Sequence, residues 1–204
     1  MVINALFTNS VTNALHAFFL FVYFIGALIH FIKKDSTFSL LIVLFFFTTF
    51  ILKLLGIYVH YYAIDNISPP WIAIALLTIL LNYFVVQSMQ MPNLARIVIV
   101  VLTTACAYLF IINNADFIYI ALPLIITYLT CAYYAPGMAR WGFVMIVLSN
   151  ILWIAARTIE NHIAGHEITM SDRYDNDVYH ILLIISTFVI YKAIAKGHWK
   201  YPQY

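Results

Sequence analysis

Residues 14–32 read ALHAFFLFVYFIGALIHFI, a stretch without any acidic residue, lysine or arginine. About 20 mainly apolar residues are needed for a helix to cross the hydrocarbon core of a bilayer, so this stretch predicts a transmembrane helix. Six similar stretches follow, and each is predicted to be helical because lipid cannot satisfy open backbone groups. The seven predicted spans are residues 14–32, 38–59, 71–89, 97–112, 117–134, 141–156 and 178–195.

The composition agrees with a chain that lies almost wholly in lipid. Of its 204 residues, 65% are hydrophobic and 9% are charged, and the mean hydropathy is +0.96. A soluble domain carries about 25% charged residues. We therefore predict an all-α integral membrane protein, one transmembrane domain over residues 1–204 folded as a seven-helix bundle. A formal charge of +2 is too small to suggest a nucleic-acid partner.

Neither the cysteines nor the amino terminus indicates a secreted protein. Cys106 and Cys131 both fall in apolar stretches and are interpreted as small buried hydrophobic residues. The first lysine, Lys33, follows the first apolar stretch, whereas a cleavable signal peptide has a basic region before it. The first stretch is therefore expected to be a retained helix.

Basic residues are unequally distributed over the predicted loops. If the amino terminus is outside, the outer side holds two of them, Arg157 and Arg173, and the cytoplasmic side holds seven. The seven are Lys33, Lys34, Arg96, Arg140, Lys192, Lys196 and Lys200. Because cytoplasmic loops are enriched in Lys and Arg, this bias predicts an outer amino terminus and a cytoplasmic carboxyl terminus. The longest and most polar predicted loop, residues 157–176, is then on the outer side, and long loops are often functional.

Polar residues in the spans and in the turns next to them recur at helical spacing. The four sets are Asn9, Asn13, His16 and Tyr23; Lys53, Gly56 and His60; Asn150, Arg157 and Glu160; and Asn176, His180, Thr187 and Tyr191. Polar groups in lipid are costly and usually face the bundle interior. Since His16, His60 and His180 come at similar depths, the pattern predicts a shared interior site near the outer side.

The most informative string is Asp175-Asn176-Asp177-Val178-Tyr179-His180, at the predicted start of the last helix. Asp175 or Asn176 is suited to cap that helix. Asp177 and His180 are three residues apart and share a helix face. A histidine with nearby carboxylates that faces a second buried histidine is also an arrangement in which zinc is bound.

Three strings resemble the alkaline ceramidase superfamily, which includes the adiponectin and progestin receptor-like proteins. Residues 9–13, Asn-Ser-Val-Thr-Asn, are similar to the Asn-Thr-x-Ser-Asn string that begins the first family helix. His60 matches the histidine of the Ser-x-x-x-His motif, and His180 matches the second histidine of the His-x-x-x-His motif. The last string is closer to a bacterial branch with a His-Asn-Asp-Leu-Tyr-His-like sequence, in which Asp175 takes the place of the first histidine. The resemblance implies a seven-helix bundle with a buried zinc, amide hydrolysis on a lipid, and a bacterial inner membrane.

The chain departs from the family at several motif positions. The family has three histidine ligands, and only His60 and His180 are in register, so Asp175 or Asp177 is expected to complete the zinc site. His162 and His166, four residues apart, are the other candidates for a third ligand. Gly56 replaces the motif serine. The family aspartate early in the third helix has no counterpart there, although Asp65 lies just before it.

The leading hypothesis is a zinc-dependent hydrolase that acts on an amide- or ester-linked membrane lipid. Zinc lowers the pKa of a bound water toward about 7 and so generates a nucleophile. Asp177 or Glu160 is expected to shuttle protons, and Lys53 or Arg157 to stabilise the oxyanion.

Two alternatives come from other functional classes. A proton-coupled transporter of a small solute would use intramembrane His, Lys and Asp as a relay, although few polar residues in the inner half extend a path. A metal-stabilised receptor without turnover is favoured by the missing third histidine and by Gly56.

Overall fold

A computed structural model describes residues 5–34, 36–64, 67–165, 174–197 and 199. All regular secondary structure in these residues is helical, which confirms the predicted all-α, seven-helix architecture. The helices are α1 (Ala5–Lys34), α2 (Thr37–Tyr61), α3 (Pro69–Gln87), α4 (Asn93–Ile112), α5 (Ile118–Tyr134), α6 (Gly137–Ala164) and α7 (Asp175–Ala195).

Six of these helices are long and apolar enough to cross a membrane by length and composition. The exception is α5, whose 17 residues extend about 25 Å, near the lower limit for a spanning helix. Large apolar side chains such as Phe18, Val101, Leu129 and Leu152 are exposed on the bundle surface. An apolar surface of this kind is stable in the hydrocarbon core of a membrane, which agrees with an integral membrane protein.

Neighbouring helices run in opposite directions, as pairs of contacts show. Along α1 and α2, Tyr23 meets Phe46 and Phe21 meets Phe50. The other pairs are Trp71–Phe110 and Asn82–Thr103 for α3 and α4, Phe117–Trp153 and Tyr128–Phe143 for α5 and α6, and Trp153–Asn176 and Asn150–Tyr179 for α6 and α7. We call the end at which α1 begins the amino end, and the end at which α7 finishes the carboxyl end.

Several helices are longer than the apolar stretches predicted. The helix α1 begins at Ala5, before the predicted start at residue 14, and α6 continues past Ala156 to Ala164. Arg and Glu are good helix formers, so the turn with Arg157 and Glu160 stays helical although it is no longer apolar. The helix ends at Gly165, whose φ of 70° is the left-handed conformation typical of a helix carboxyl cap. The predicted loop over residues 157–176 is therefore wrong in its first part, and His162 is helical.

The helices α1, α2 and α7 form the frame of the polar site. α1 packs against both α2 and α7. In the half of the bundle nearer the carboxyl end, Tyr23 of α1 and Tyr191 of α7 stack with ring centroids 4.6 Å apart, and Phe46 of α2 packs on both. This apolar and aromatic core leaves the polar stripes of the three helices to meet nearer the amino end.

Candidate functional site

Three of the four predicted polar stripes, those of α1, α2 and α7, meet in the bundle interior. Asn9, Asn13 and His16 on α1 are each at most 1% exposed, and His60 on α2 and His180 on α7 are also buried. Lys53 of α2 is partly buried and lies roughly two turns before the end of its helix. The periodicity of the sequence thus predicted correctly which faces of α1, α2 and α7 are polar and buried.

His180 is held from two sides by nitrogen atoms of other helices. Its Nε2 lies 2.8 Å from Asn13 Nδ2, and its Nδ1 lies 3.2 Å from Lys53 Nζ. A neutral imidazole has one N–H and one lone pair, so Asn13 and Lys53 compete for a single acceptor. The ring of His180 therefore lies in contact with side chains of α1 and α2, and only one of these two contacts is a hydrogen bond accepted by the ring. We call the group formed by Asn13, Lys53, His60 and His180 the Lys–His cluster.

His60 completes the Lys–His cluster without a hydrogen bond of its own at Nδ1. The ring centroids of His60 and His180 are 6.1 Å apart and the rings are inclined by 78°. His60 Nδ1 is buried and has no hydrogen-bond partner among the described residues. Nearby on α1, His16 Nε2 lies 3.3 Å from Thr187 Oγ1, and His16 Nδ1 is likewise buried without a partner in that part of the chain.

Gly56 on α2 leaves room for the carboxamide of Asn13 on α1, which contacts His180 on α7. A Cβ atom at Gly56 would lie 2.9 Å from Asn13 Oδ1 and 3.4 Å from its Cγ. Asn13 Nδ2 also donates to the carbonyl oxygen of Asn9, 2.9 Å away, one turn earlier on α1. The carboxamide of Asn13 therefore occupies the space left by the missing side chain at Gly56.

The first turns of α7 are tied to α1 and α6 by side-chain hydrogen bonds. Thr12 Oγ1 donates to Asp177 Oδ1 at 2.9 Å. Trp153 Nε1 donates to Asn176 Oδ1 at 2.6 Å, and Tyr179 OH donates to Asn150 Oδ1 at 3.3 Å. These bonds fix the rotation of α7 and thereby aim His180 at Asn13 and Lys53.

The predicted site residues are brought together only in part. His60, His180 and Lys53 share the Lys–His cluster, whereas Asp177 faces Thr12 and the Arg157 guanidinium lies 5.8 Å from the ring centre of Trp153. Asp175 is buried at the start of α7, Glu160 is partly buried on α6, and His162 is exposed. His166 and Asp65 lie outside the described residues. The Thr12–Asp177 and Trp153–Asn176 bonds were not predicted, because Thr12 and Trp153 fall outside the polar stripes.

The residues present fit a zinc ion incompletely. His60 has a buried, unpartnered ring nitrogen next to a second histidine, which suits a metal. However, His180 has both ring nitrogens within hydrogen-bonding distance of other groups, and one of these is the terminal nitrogen of Lys53. Among the described residues, no three His, Cys, Asp or Glu side chains come together in a way that would hold a metal ion. The zinc site stays a prediction.

A second polar feature lies between the same three helices at the carboxyl end. There α1, α2 and α7 enclose a cavity of about 180 Å³. Its polar lining residues are His30, Ser39 and Tyr191, and the Tyr191 hydroxyl packs directly over Gly26. Polar groups of α1 and α7 thus recur from the Lys–His cluster through His16 and Thr187 to this cavity.

The three strings that carry the family resemblance meet at this site. They contribute Asn13 from α1, His60 from α2 and His180 from α7, and Gly56 contacts Asn13. No family, no characterised protein and no solved structure matches the chain.

Proposed function

We propose that this protein is a proton-coupled membrane transporter of a small anionic solute, with the Lys–His cluster as its binding and coupling site. The observation that carries the proposal is the contact between Lys53 and His180. Lysine is rare within membranes and usually marks a substrate, ion or proton pathway when it occurs there. Lys53 contacts His180 Nδ1 and the ring of Tyr179, and no described carboxylate pairs with it.

The absence of an acidic partner within the described residues suggests what the solute is. A cation in the bundle interior is stabilised when a negative charge reaches it. A small carboxylate or phosphate would supply that charge, and the unpartnered ring nitrogen of His60 would offer it a hydrogen bond. Protons carried by the histidines and the lysine would then be coupled to the anion.

The cavity at the carboxyl end supports passage through the bundle. It lies between the helices that carry the Lys–His cluster, and His16 and Thr187 lie along the same helices on the side of the cluster. The packed rings of Tyr23, Phe46 and Tyr191 separate these two residues from the cavity. With the amino terminus outside, as the basic residues indicate, the cluster faces the outer side and the cavity faces the cytoplasm. Seven alternating helices are consistent with that orientation, and we propose all seven as spans.

Liposome reconstitution tests this function. The purified protein is placed in liposomes that enclose a pH-sensitive dye, and phosphate, succinate or glutamate is added outside in the presence of a pH gradient. We expect solute-dependent acidification of the interior with the unmodified chain and none with Lys53→Met. Lys33→Met, a matched change of an exposed lysine, should transport normally. Equal rates in liposomes with and without the protein for a broad panel of anions would refute the proposal.

A lipid hydrolase is the second candidate, favoured by the juxtaposition of His60 and His180. Bound at His60 and His180, zinc would supply an activated water, and Asp175 or Asp177 would have to move to complete its ligands. In that case Asp177, Glu160, Lys53 and Arg157 keep the roles predicted from the sequence, and the substrate is an amide- or ester-linked membrane lipid. Elemental analysis of the purified protein separates the candidates: one zinc per chain that His60→Ala and His180→Ala remove, but His30→Ala does not, favours the hydrolase.

A further inference from the structure

The Lys–His cluster contains two imidazole rings, as a metal site would, but the cation beside them is the ammonium group of Lys53. Two buried histidines from different helices face each other at a centroid distance of 6.1 Å. Imidazole nitrogens bind zinc at about 2.0–2.1 Å, so two rings at such a separation are close to sharing one ion. The group that approaches His180 in this structure is instead Lys53, whose Nζ lies 3.2 Å from Nδ1.

A metal ion and Lys53 cannot use the same ring nitrogen. An ammonium group donates into the lone pair that a metal would need, and it places a positive charge where a divalent cation would be repelled. The other nitrogen of His180 is within 2.8 Å of Asn13 Nδ2, which itself is anchored on Asn9. His180 therefore has no free nitrogen while both contacts persist.

Two oxygen-bearing side chains of α7 near the cluster are also engaged elsewhere. Asp177 accepts the hydrogen bond of Thr12, and Asn176, one turn before His180, accepts that of Trp153. Both bonds direct these side chains toward α1 and α6. A metal ion at the cluster would therefore depend on the ring nitrogens of His60 and His180.

We infer that Lys53 takes the place of a metal ion, so that the Lys–His cluster is a metal-free site built on an ammonium group. This inference rests on the geometry of the cluster and not on the transport proposal. Its consequence is specific: removal of the ammonium group frees His180 Nδ1 beside the unpartnered Nδ1 of His60. The substitution of Lys53 should then create zinc binding that the natural chain lacks.

The test measures zinc per chain by elemental analysis after equilibration with zinc and dialysis against a weak chelator. The samples are the unmodified protein, Lys53→Ala, Lys53→Gln, the matched control Lys33→Ala, and the double variant Lys53→Ala with His180→Ala. We expect zinc near one per chain in Lys53→Ala or Lys53→Gln only, and its loss in the double variant. Two variants at Lys53 are included so that the test does not depend on the packing of one of them, and a single symmetric gel-filtration peak is required of each sample.

Two results would overturn the inference. One is stoichiometric zinc in the unmodified protein that His180→Ala removes, because the metal and the ammonium group would then coexist. The other is the failure of both folded Lys53 variants to gain zinc, because something other than the ammonium group would then keep metal out.

Discussion

Asn13 Nδ2 on α1 lies 2.8 Å from His180 Nε2 on α7, and both side chains are almost entirely buried. The contact links a polar residue one turn after Asn9 to the first turns of the last helix. Because Asn13 also donates to the Asn9 carbonyl oxygen, its carboxamide is fixed in one orientation. The position of His180, and with it the contact to Lys53, depends on this residue.

Asn13→Ala should therefore weaken the fold measurably. The change removes one hydrogen bond between helices and leaves His180 Nε2 without its partner. Interhelical hydrogen bonds in membrane proteins contribute about 0.6 kcal/mol on average, so we expect a loss of about 1 kcal/mol in the free energy of unfolding. Thermal or denaturant unfolding in detergent measures it. Asn113→Ala is the control, because the exposed Asn113 side chain donates to the Leu109 carbonyl of the adjoining helix end and not to another helix; an equal loss there would contradict the prediction.

Gly56→Ala should act through Asn13. The added Cβ would lie 2.9 Å from Asn13 Oδ1, so the carboxamide has to move away from His180. In the Asn13→Ala background that obstacle is gone, and alanine is favoured over glycine in a helix by about 0.8–1.0 kcal/mol. We therefore expect Gly56→Ala to destabilise the natural chain and to be neutral or stabilising beside Asn13→Ala.

A double-mutant cycle measures that change of sign. Gly26→Ala supplies the control for additivity, since Gly26 contacts Tyr191 more than three turns away from Asn13. Its effect should be the same with and without Asn13→Ala. Additive behaviour of Gly56→Ala would show that Gly56 and Asn13 are not coupled.

The sequence predicted the polar faces well because their cause is local. Asn9, Asn13 and His16 recur at helical spacing, and the cost of polar groups in lipid turns that face inward. The predicted helices, however, are too short, notably α1 and α6. The prediction followed apolar residues only, whereas the last turns of α6, with Arg157 and Glu160, continue as helix on polar side chains.

The partners within the site were not predictable in the same way. Which residue of α2 reaches His180 depends on the close approach of α1 at Gly56 and on the long side chain of Lys53. The sequence pattern predicts a carboxylate or a metal ion next to His180, whereas the structure has Lys53 there. The spacing of residues along one helix does not show how a neighbouring helix is rotated about its own axis. For α7 that rotation is set by hydrogen bonds such as the one from Trp153 to Asn176.

Trp153→Phe should loosen the start of α7 without disturbing the packing around it. The phenyl ring keeps contacts with Phe117 and Tyr179 but cannot donate to Asn176 Oδ1. We expect a loss of about 1 kcal/mol in stability and faster amide exchange confined to the first turns of α7. Hydrogen–deuterium exchange followed by mass spectrometry tests this. The exposed Trp141 provides the control, and Trp141→Phe should leave exchange in α7 unchanged.

The orientation of the bundle has a direct test by cysteine labelling. Cys106 and Cys131 are buried, so they should give little background with a membrane-impermeant maleimide. Ala164→Cys lies at the amino end of the bundle and Gln90→Cys at the carboxyl end, and both positions are exposed. In sealed right-side-out vesicles we expect Ala164→Cys to react at once and Gln90→Cys to react only after permeabilisation. The reverse order would place the amino terminus in the cytoplasm.

Lys53→Met should separate the functional role of Lys53 from a structural one. The methionine side chain keeps much of the length and apolar contact of lysine but removes a cation that no described carboxylate neutralises. Functional sites often hold groups that the fold would be more stable without. We therefore expect an unfolding midpoint equal to or higher than that of the natural chain, together with loss of anion-dependent proton uptake in liposomes. A clear fall in the midpoint, with Lys33→Met unaffected, would mean that Lys53 serves chiefly to hold α2 and α7 together.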